Sequence, residues 1–138
     1  MKTIPTYRGV VHPWHCDHMG HMNVMYYVGK FDEATWNLFA EIGITASYMR
    51  ETQSGVAGVQ QNITYRRELF PGDTVEIRSH ILSIGERKMT FVHEMRDTQR
   101  DEVSAVCELI AVHMDRANRR SSPFPPEVRR RAEALIAD

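Results

Sequence analysis

An antiparallel sheet wrapped around one long central helix, with a short C-terminal helix, is the α+β architecture this sequence predicts. Three observations lead there: one long run of three-and-four spacing in the first third, four extended segments after it, and joints between those segments too short for parallel crossovers. With 138 residues, 42% of them apolar and 25% charged, the chain reads as one globular domain over 1–138 whose core needs no disulfide scaffold.

The elements follow in order. Ile4 to His12 can be extended, and Pro13 interrupts it. A polar, Met-rich stretch from Trp14 to Asn23 follows, where Pro13 and Gly20 disfavour a helix, so it reads as a loop. From Val24 the period changes. Val24, Tyr27, Val28, Phe31, Thr35, Leu38 and Ile42 recur as one helical face, with Asn23 as N-cap and Gly43 as the stop. Tyr26, Trp36 and Phe39 lie off that face, which predicts a helix buried on two sides. The stretch from Gly43 to Gly55 gives no clear pattern. Val56 to Glu68 is extended and ends at the turn signal Pro71-Gly72-Asp73. Thr74 to Ile84 and Lys88 to Arg96 alternate. Val103 to Met114 is apolar on both parities, as in a strand covered on both faces. The tail from Ser121 to Pro126 is a linker into a helix from about Glu127 to Ala137. One sheet can cover only one side of the long helix, so a second subunit is expected to complete the fold.

Composition narrows the function. A formal charge of −1 argues against nucleic acid as the partner. No stretch approaches the ~18 apolar residues needed to span a bilayer, so no membrane role is expected. The opening MKTIPTYRGVV lacks the apolar core of a signal peptide. Cys16 and Cys107 are too few for a disulfide framework. A cytoplasmic enzyme or binding protein is the expectation that remains.

The run Cys16-Asp17-His18-Met19-Gly20-His21-Met22-Asn23-Val24-Met25-Tyr26-Tyr27, followed by Phe31 and Glu33-Ala34, resembles the hotdog-fold acyl-CoA thioesterases of the 4-hydroxybenzoyl-CoA thioesterase type. Tyr65-Arg66-Arg67, Pro71-Gly72-Asp73 and the strand start at Arg87-Lys88 sit where that family has comparable features. The resemblance implies a hydrolase that cleaves an acyl-CoA thioester to free acid and CoA. Asp17 would be the catalytic carboxylate, as general base or nucleophile, and the backbone N–H of Val24 would hold the thioester oxygen. It further implies substrate contacts from Met19, Gly20, His21, Met22, Asn23, Met25 and Tyr27, and CoA phosphate contacts from Arg87 and Lys88. No cofactor beyond the CoA of the substrate is expected, and the assembly would be a homodimer or a dimer of dimers. One departure stands out: benzoyl-specific members carry an aromatic residue where this chain has Val24.

Elementary chemistry points the same way. Attack on a thioester puts negative charge on oxygen, and a helix N-terminus offers free N–H donors there, each worth ~3–4 kcal/mol when preorganised. Asp17 precedes Val24 by seven residues, with Gly20 between them to let the loop fold back.

Plainer readings stand beside these. Asp17 could cap a turn, and Asn23 is explained as the N-cap alone. His12, His15, His18 and His21 recur every third residue, yet Pro13 and Gly20 break the helix that would align them, so no metal is expected. Cys16 beside Asp17 is a poor thiolate, and Cys107 reads as core. Met19, Met22 and Met25 suit either gap-filling or an adaptable acyl pocket. Arg66, Arg67, Arg119 and Arg120 suit solvation as well as phosphate, and Arg129-Arg130-Arg131 suits solubility or a subunit contact. The rival from another class is a non-catalytic acyl-CoA-binding hotdog module.

Overall fold

The computed structural model describes residues 2–136. Its elements run β1 (Ile4–Val10), a 3-10 turn (Pro13–His15), α1 (Val24–Glu41), α2 (Ala46–Thr52), β2 (Ser54–Tyr65), β3 (Thr74–Ile84), β4 (Lys88–Asp97), β5 (Glu102–Asp115), β6 (Arg120–Ser121) and α3 (Pro126–Ile136). The strands form one antiparallel sheet in the order β1-β3-β4-β5-β2, with β6 on β5.

Helix α1 begins and ends where its punctuation dictates. Asn23 is extended and its side chain accepts from Met25 N–H. At the other end Gly43 has φ +91°, and the N–H groups of Gly43 and Ile44 return to the carbonyls of Ala40 and Phe39. Between these caps, Tyr27, Phe31, Ala34 and Leu38 join Val75, Ile77, Met89, Phe91, Met95 and Cys107 of the sheet in one apolar core. Each large side chain so buried contributes about 2–3 kcal/mol. Helix α3 lies against β3 and buries Val128 and Ala132, with Phe124 also in the core.

A polar chain runs through this core. Thr35 Oγ1 bonds His93 Nε2 at 2.8 Å, His93 Nδ1 bonds Ser79 Oγ, and Ser79 Oγ bonds Thr6 Oγ1 at 2.7 Å. It ties α1, β4, β3 and β1 together. Burial pushes the His93 pKa down to about 3, so the ring stays neutral.

The structure corrects the sequence reading in several places. The segment after Pro13 opens with a 3-10 turn rather than an open loop. The unclear stretch holds α2, capped by Thr45 and docked by a 2.7 Å contact from Tyr48 Oη to His113 Nε2. Within one chain α1 is not buried on two sides, because Val24, Met25, Val28 and Trp36 remain exposed. Strand β5 is fully covered on one face and partly on the other: Ala105, Cys107, Leu109 and Ala111 are buried, whereas Val106, Ile110 and Val112 are half-buried and Glu108 is exposed. Ser121, expected to open the linker, ends the short strand β6, which pairs with β5. The expected end of the last helix at Ala137 lies outside the described residues.

Candidate active site

The loop from Val11 to Asn23 is pinned at both ends to the turn that follows β2. Val11 N–H donates to the Asp73 carbonyl and Gly72 N–H to the Val11 carbonyl. Met22 N–H donates to the Leu69 carbonyl at 2.8 Å. The turn owes its shape to Gly72, with φ +91°, and to Asp73, whose carboxylate accepts Phe70 N–H. The Pro71-Gly72-Asp73 signal therefore builds the platform on which the loop rests.

The loop then closes on itself. Cys16 and Met22 form a β-bridge, Asp17 N–H donates to the His21 carbonyl, and Gly20 turns the chain at φ +89°. At this apex Asp17 Oδ1 accepts Met19 N–H at 2.8 Å and Oδ2 accepts Asn23 Nδ2 at 2.7 Å. These two bonds, Asn23 foremost, hold the Asp17 pKa below the ordinary carboxylate value. Asn23 thus has two tasks: its amide nitrogen holds Asp17, and its amide oxygen caps α1 through Met25 N–H at 2.9 Å.

Tyr26 N–H is taken by the Asn23 carbonyl. Among the described residues, nothing accepts from Val24 N–H, so the first turn of α1 keeps a free donor beside the Asp17–Asn23 pair. Next to it a cleft of about 310 Å³ is lined by His21, Met22, Val24, Tyr27 and the segment Tyr65 to Glu68. Tyr27 is buried, its hydroxyl donates to the Arg67 carbonyl at 3.3 Å, and burial pushes its pKa up to about 12. It stays a neutral wall of the cleft.

The sequence-predicted residues are only partly gathered here. Asp17, Gly20, Asn23 and Val24 sit together, with His21, Met22 and Tyr27 bordering the cleft. Met22 is 1% exposed, whereas Met19 and Met25 project outward at 69% and 61%, so the three methionines do not form one pocket within the chain. His21 Nε2 lies 3.7 Å from Glu68. His12 stacks on Trp14 and His18 is exposed. Among the described residues, no three His, Cys, Asp or Glu side chains converge as metal ligands. Cys107 is buried, and burial raises its pKa to about 12.

Arg87 and Lys88 are not brought to this cleft by their own chain. The loop meets the sheet where Val10 pairs with Thr74, at the start of β3. Arg87 and Lys88 follow the end of that strand, roughly 30 Å away at the rise of an extended chain. Arg87 instead donates to the Ser121 carbonyl at 3.0 Å. The basic pair that does reach the cleft is Arg66-Arg67, with Tyr65 beside it. The sequence showed those residues, but only the pairing of β2 with β5 tells where that strand ends.

An antiparallel sheet carrying one long helix is the hotdog architecture of thioester hydrolases. Residues 11–132 match the thioesterase-like superfamily, and the chain belongs to it. It is 26% identical over 134 residues to a betainyl-CoA thioesterase of Pseudomonas aeruginosa, covering 97% of this chain and 84% of that one. A Staphylococcus aureus protein solved in complex with CoA superposes with a TM-score of 0.91 at 16% identity, covering 99% of this chain and 86% of that one. A DHNA-CoA thioesterase from Staphylococcus aureus superposes at 0.87 with 12% identity, covering 98% and 91%. These two likenesses concern the fold.

Proposed function

We propose that the chain hydrolyses an acyl-CoA thioester at the Asp17 cleft, with Asp17 as general base or nucleophile and Val24 N–H as the oxyanion donor. The observation that carries this reading is the joint geometry of the Asn23 amide. One side chain fixes both the carboxylate and the helix end, so base and donor are held relative to each other before substrate arrives. The depressed pKa keeps Asp17 ionised at neutral pH, as either role requires. The Pseudomonas relative makes a betainyl thioester the first acyl group to assay.

The reading includes a homodimer. Strand β2 ends the sheet and exposes Val59 and Tyr65, which share surface hollows with the exposed Trp36 and Val24 of α1, and Met25 and Val28 of that helix are exposed too. An open edge beside an apolar stripe suits a second copy of the chain. Such pairing would let Arg87 and Lys88 serve the partner's cleft while Arg66 and Arg67 serve their own. Incubation with betainyl-CoA and a series of other acyl-CoAs, with release of free thiol as readout, is the direct test. Stoichiometric CoA binding without thiol release would favour the non-catalytic module.

A further inference from the structure

On another face of α1, a cavity of about 380 Å³ opens between β1, the 3-10 turn and the middle of the helix. Lys30 forms part of its wall and is only 5% exposed. Its Nζ donates to Tyr7 Oη at 2.8 Å and lies 5.1 Å from the Tyr7 ring centre. Among the described residues no carboxylate pairs with this ammonium, and the ion pairs that exist use other cations. A cation taken out of water ordinarily acquires a counter-charge, and two of its three N–H bonds are uncommitted.

The groups around it are donors too. Tyr7 Oη accepts from Lys30, which leaves its own hydrogen to give. His12 N–H donates to His15 Nδ1 at 3.0 Å, so the neutral ring of His15 carries its hydrogen on Nε2. Burial, then Lys30, lowers the His15 pKa and favours that neutral form. The place of Tyr7 is fixed by the chain beneath it: a Cβ on Gly9 would come within 2.3 Å of Tyr7 Oη, so the ring lies there only over a glycine. Glu33 also lines the cavity, exposed and, among the described residues, without an ion pair.

We propose that this cavity is a phosphate-binding site, in which Lys30 Nζ, His15 Nε2–H and Tyr7 O–H converge on one tetrahedral oxyanion while Glu33 limits its affinity. Four N–H or O–H bonds from three side chains match the several acceptor oxygens of a phosphate better than a single carbonyl. The site is separate from the thioester cleft, yet it is joined to it: the His15 carbonyl accepts Asn23 N–H, and the His15 ring packs 4.7 Å from that of Tyr26. The proposal concerns binding and does not depend on the chain's activity toward acyl-CoA.

Isothermal titration at constant ionic strength tests it, with inorganic phosphate in one arm and adenosine 3′,5′-bisphosphate in the other. The expected result is a saturable component that Lys30→Met weakens at least tenfold, Tyr7→Phe weakens severalfold and Glu33→Gln strengthens. Equal dependence on Lys30 in both arms identifies free phosphate as sufficient, and dependence in the bisphosphate arm alone identifies a nucleotide phosphate. Thermal melts check that each variant folds; should Lys30→Met fail to fold, Tyr7→Phe and Glu33→Gln decide. No saturable component in either arm, or one that is indifferent to the Tyr7 and Glu33 variants, overturns the proposal.

Discussion

Replacing Asp17 by asparagine preserves the shape that Met19 N–H and Asn23 Nδ2 embrace but removes the charge and the basicity. If Asp17 is base or nucleophile, kcat should fall at least ~10²-fold while acyl-CoA still binds, measured by thiol release and by titration. A variant within threefold of the parent would remove Asp17 from the mechanism. Single-turnover hydrolysis in ¹⁸O-labelled water then separates the roles: a nucleophile hands an unlabelled carboxylate oxygen to the product, and a base delivers only solvent oxygen. The pH profile follows from the same bonds. Since Asn23 and Met19 lower the Asp17 pKa, the carboxylate persists below the ordinary value, and if Asp17 is base or nucleophile the acid limb of kcat/KM should lie below about pH 4. A limb above pH 5 would place control in another group.

At the scale of single elements, the buried His93 gives the fold a pH dependence of its own. Its folded pKa of about 3 lies below that of an unfolded histidine, so between these values the unfolded chain binds the extra proton. Stability should rise with pH through that window and be lost as pH falls. Between pH 7 and 5 this one group should cost about 2 kcal/mol, read by urea unfolding. His93→Asn, with no titration there, should be less stable than the parent at pH 8 yet lose less between pH 7 and 5. A parent as steep as the variant would assign the pH dependence elsewhere. The local pattern around His93 does not announce this role, because its partners Thr35 and Ser79, and Thr6 bonded in turn to Ser79, come from three other elements. Helix α1 was legible because its period, cap and stop are all local. Helix α2 was not, since seven residues give too few turns for a period and Tyr48 is anchored by the distant His113. The loop bearing Asp17 was legible as a motif, but its platform at Leu69 to Asp73 and the reach of Arg66-Arg67 depend on strand pairing, which no window of sequence contains.

For the whole molecule, light scattering at micromolar concentration should give at least twice the chain mass. Val59→Arg, on the exposed edge of β2, should shift the protein toward monomer, and activity should fall with the dimer fraction. If Arg87 and Lys88 hold CoA phosphates across the dimer, Arg87→Ala with Lys88→Ala should raise KM far more than it lowers kcat. The effect should be strong on acyl-CoA and slight on a short acyl-cysteamine thioester. Mixing Asp17→Asn chains with the double variant should restore activity, since half of the mixed dimers' clefts then combine an intact Asp17 with an intact Arg87 and Lys88. No restoration, with mixed dimers verified by mass, would place the phosphate contacts within one chain.

The register of β1 carries a consequence for how the chain comes together. Ile4 pairs with Ser79 and Val10 with Thr74, so the first strand must wait for partners more than sixty residues downstream, whereas β3, β4 and β5 close as neighbouring hairpins. Closing the long connection is entropically slow, and the loop bearing Asp17 lies inside it. In pulse-labelled hydrogen exchange, the amides of β3 to β5 should gain protection before those of β1. The Asp17 cleft would then be the last part of the chain to take shape, and, if hydrolysis takes place there, a nascent polypeptide would stay inert until its first strand had found its place in the sheet.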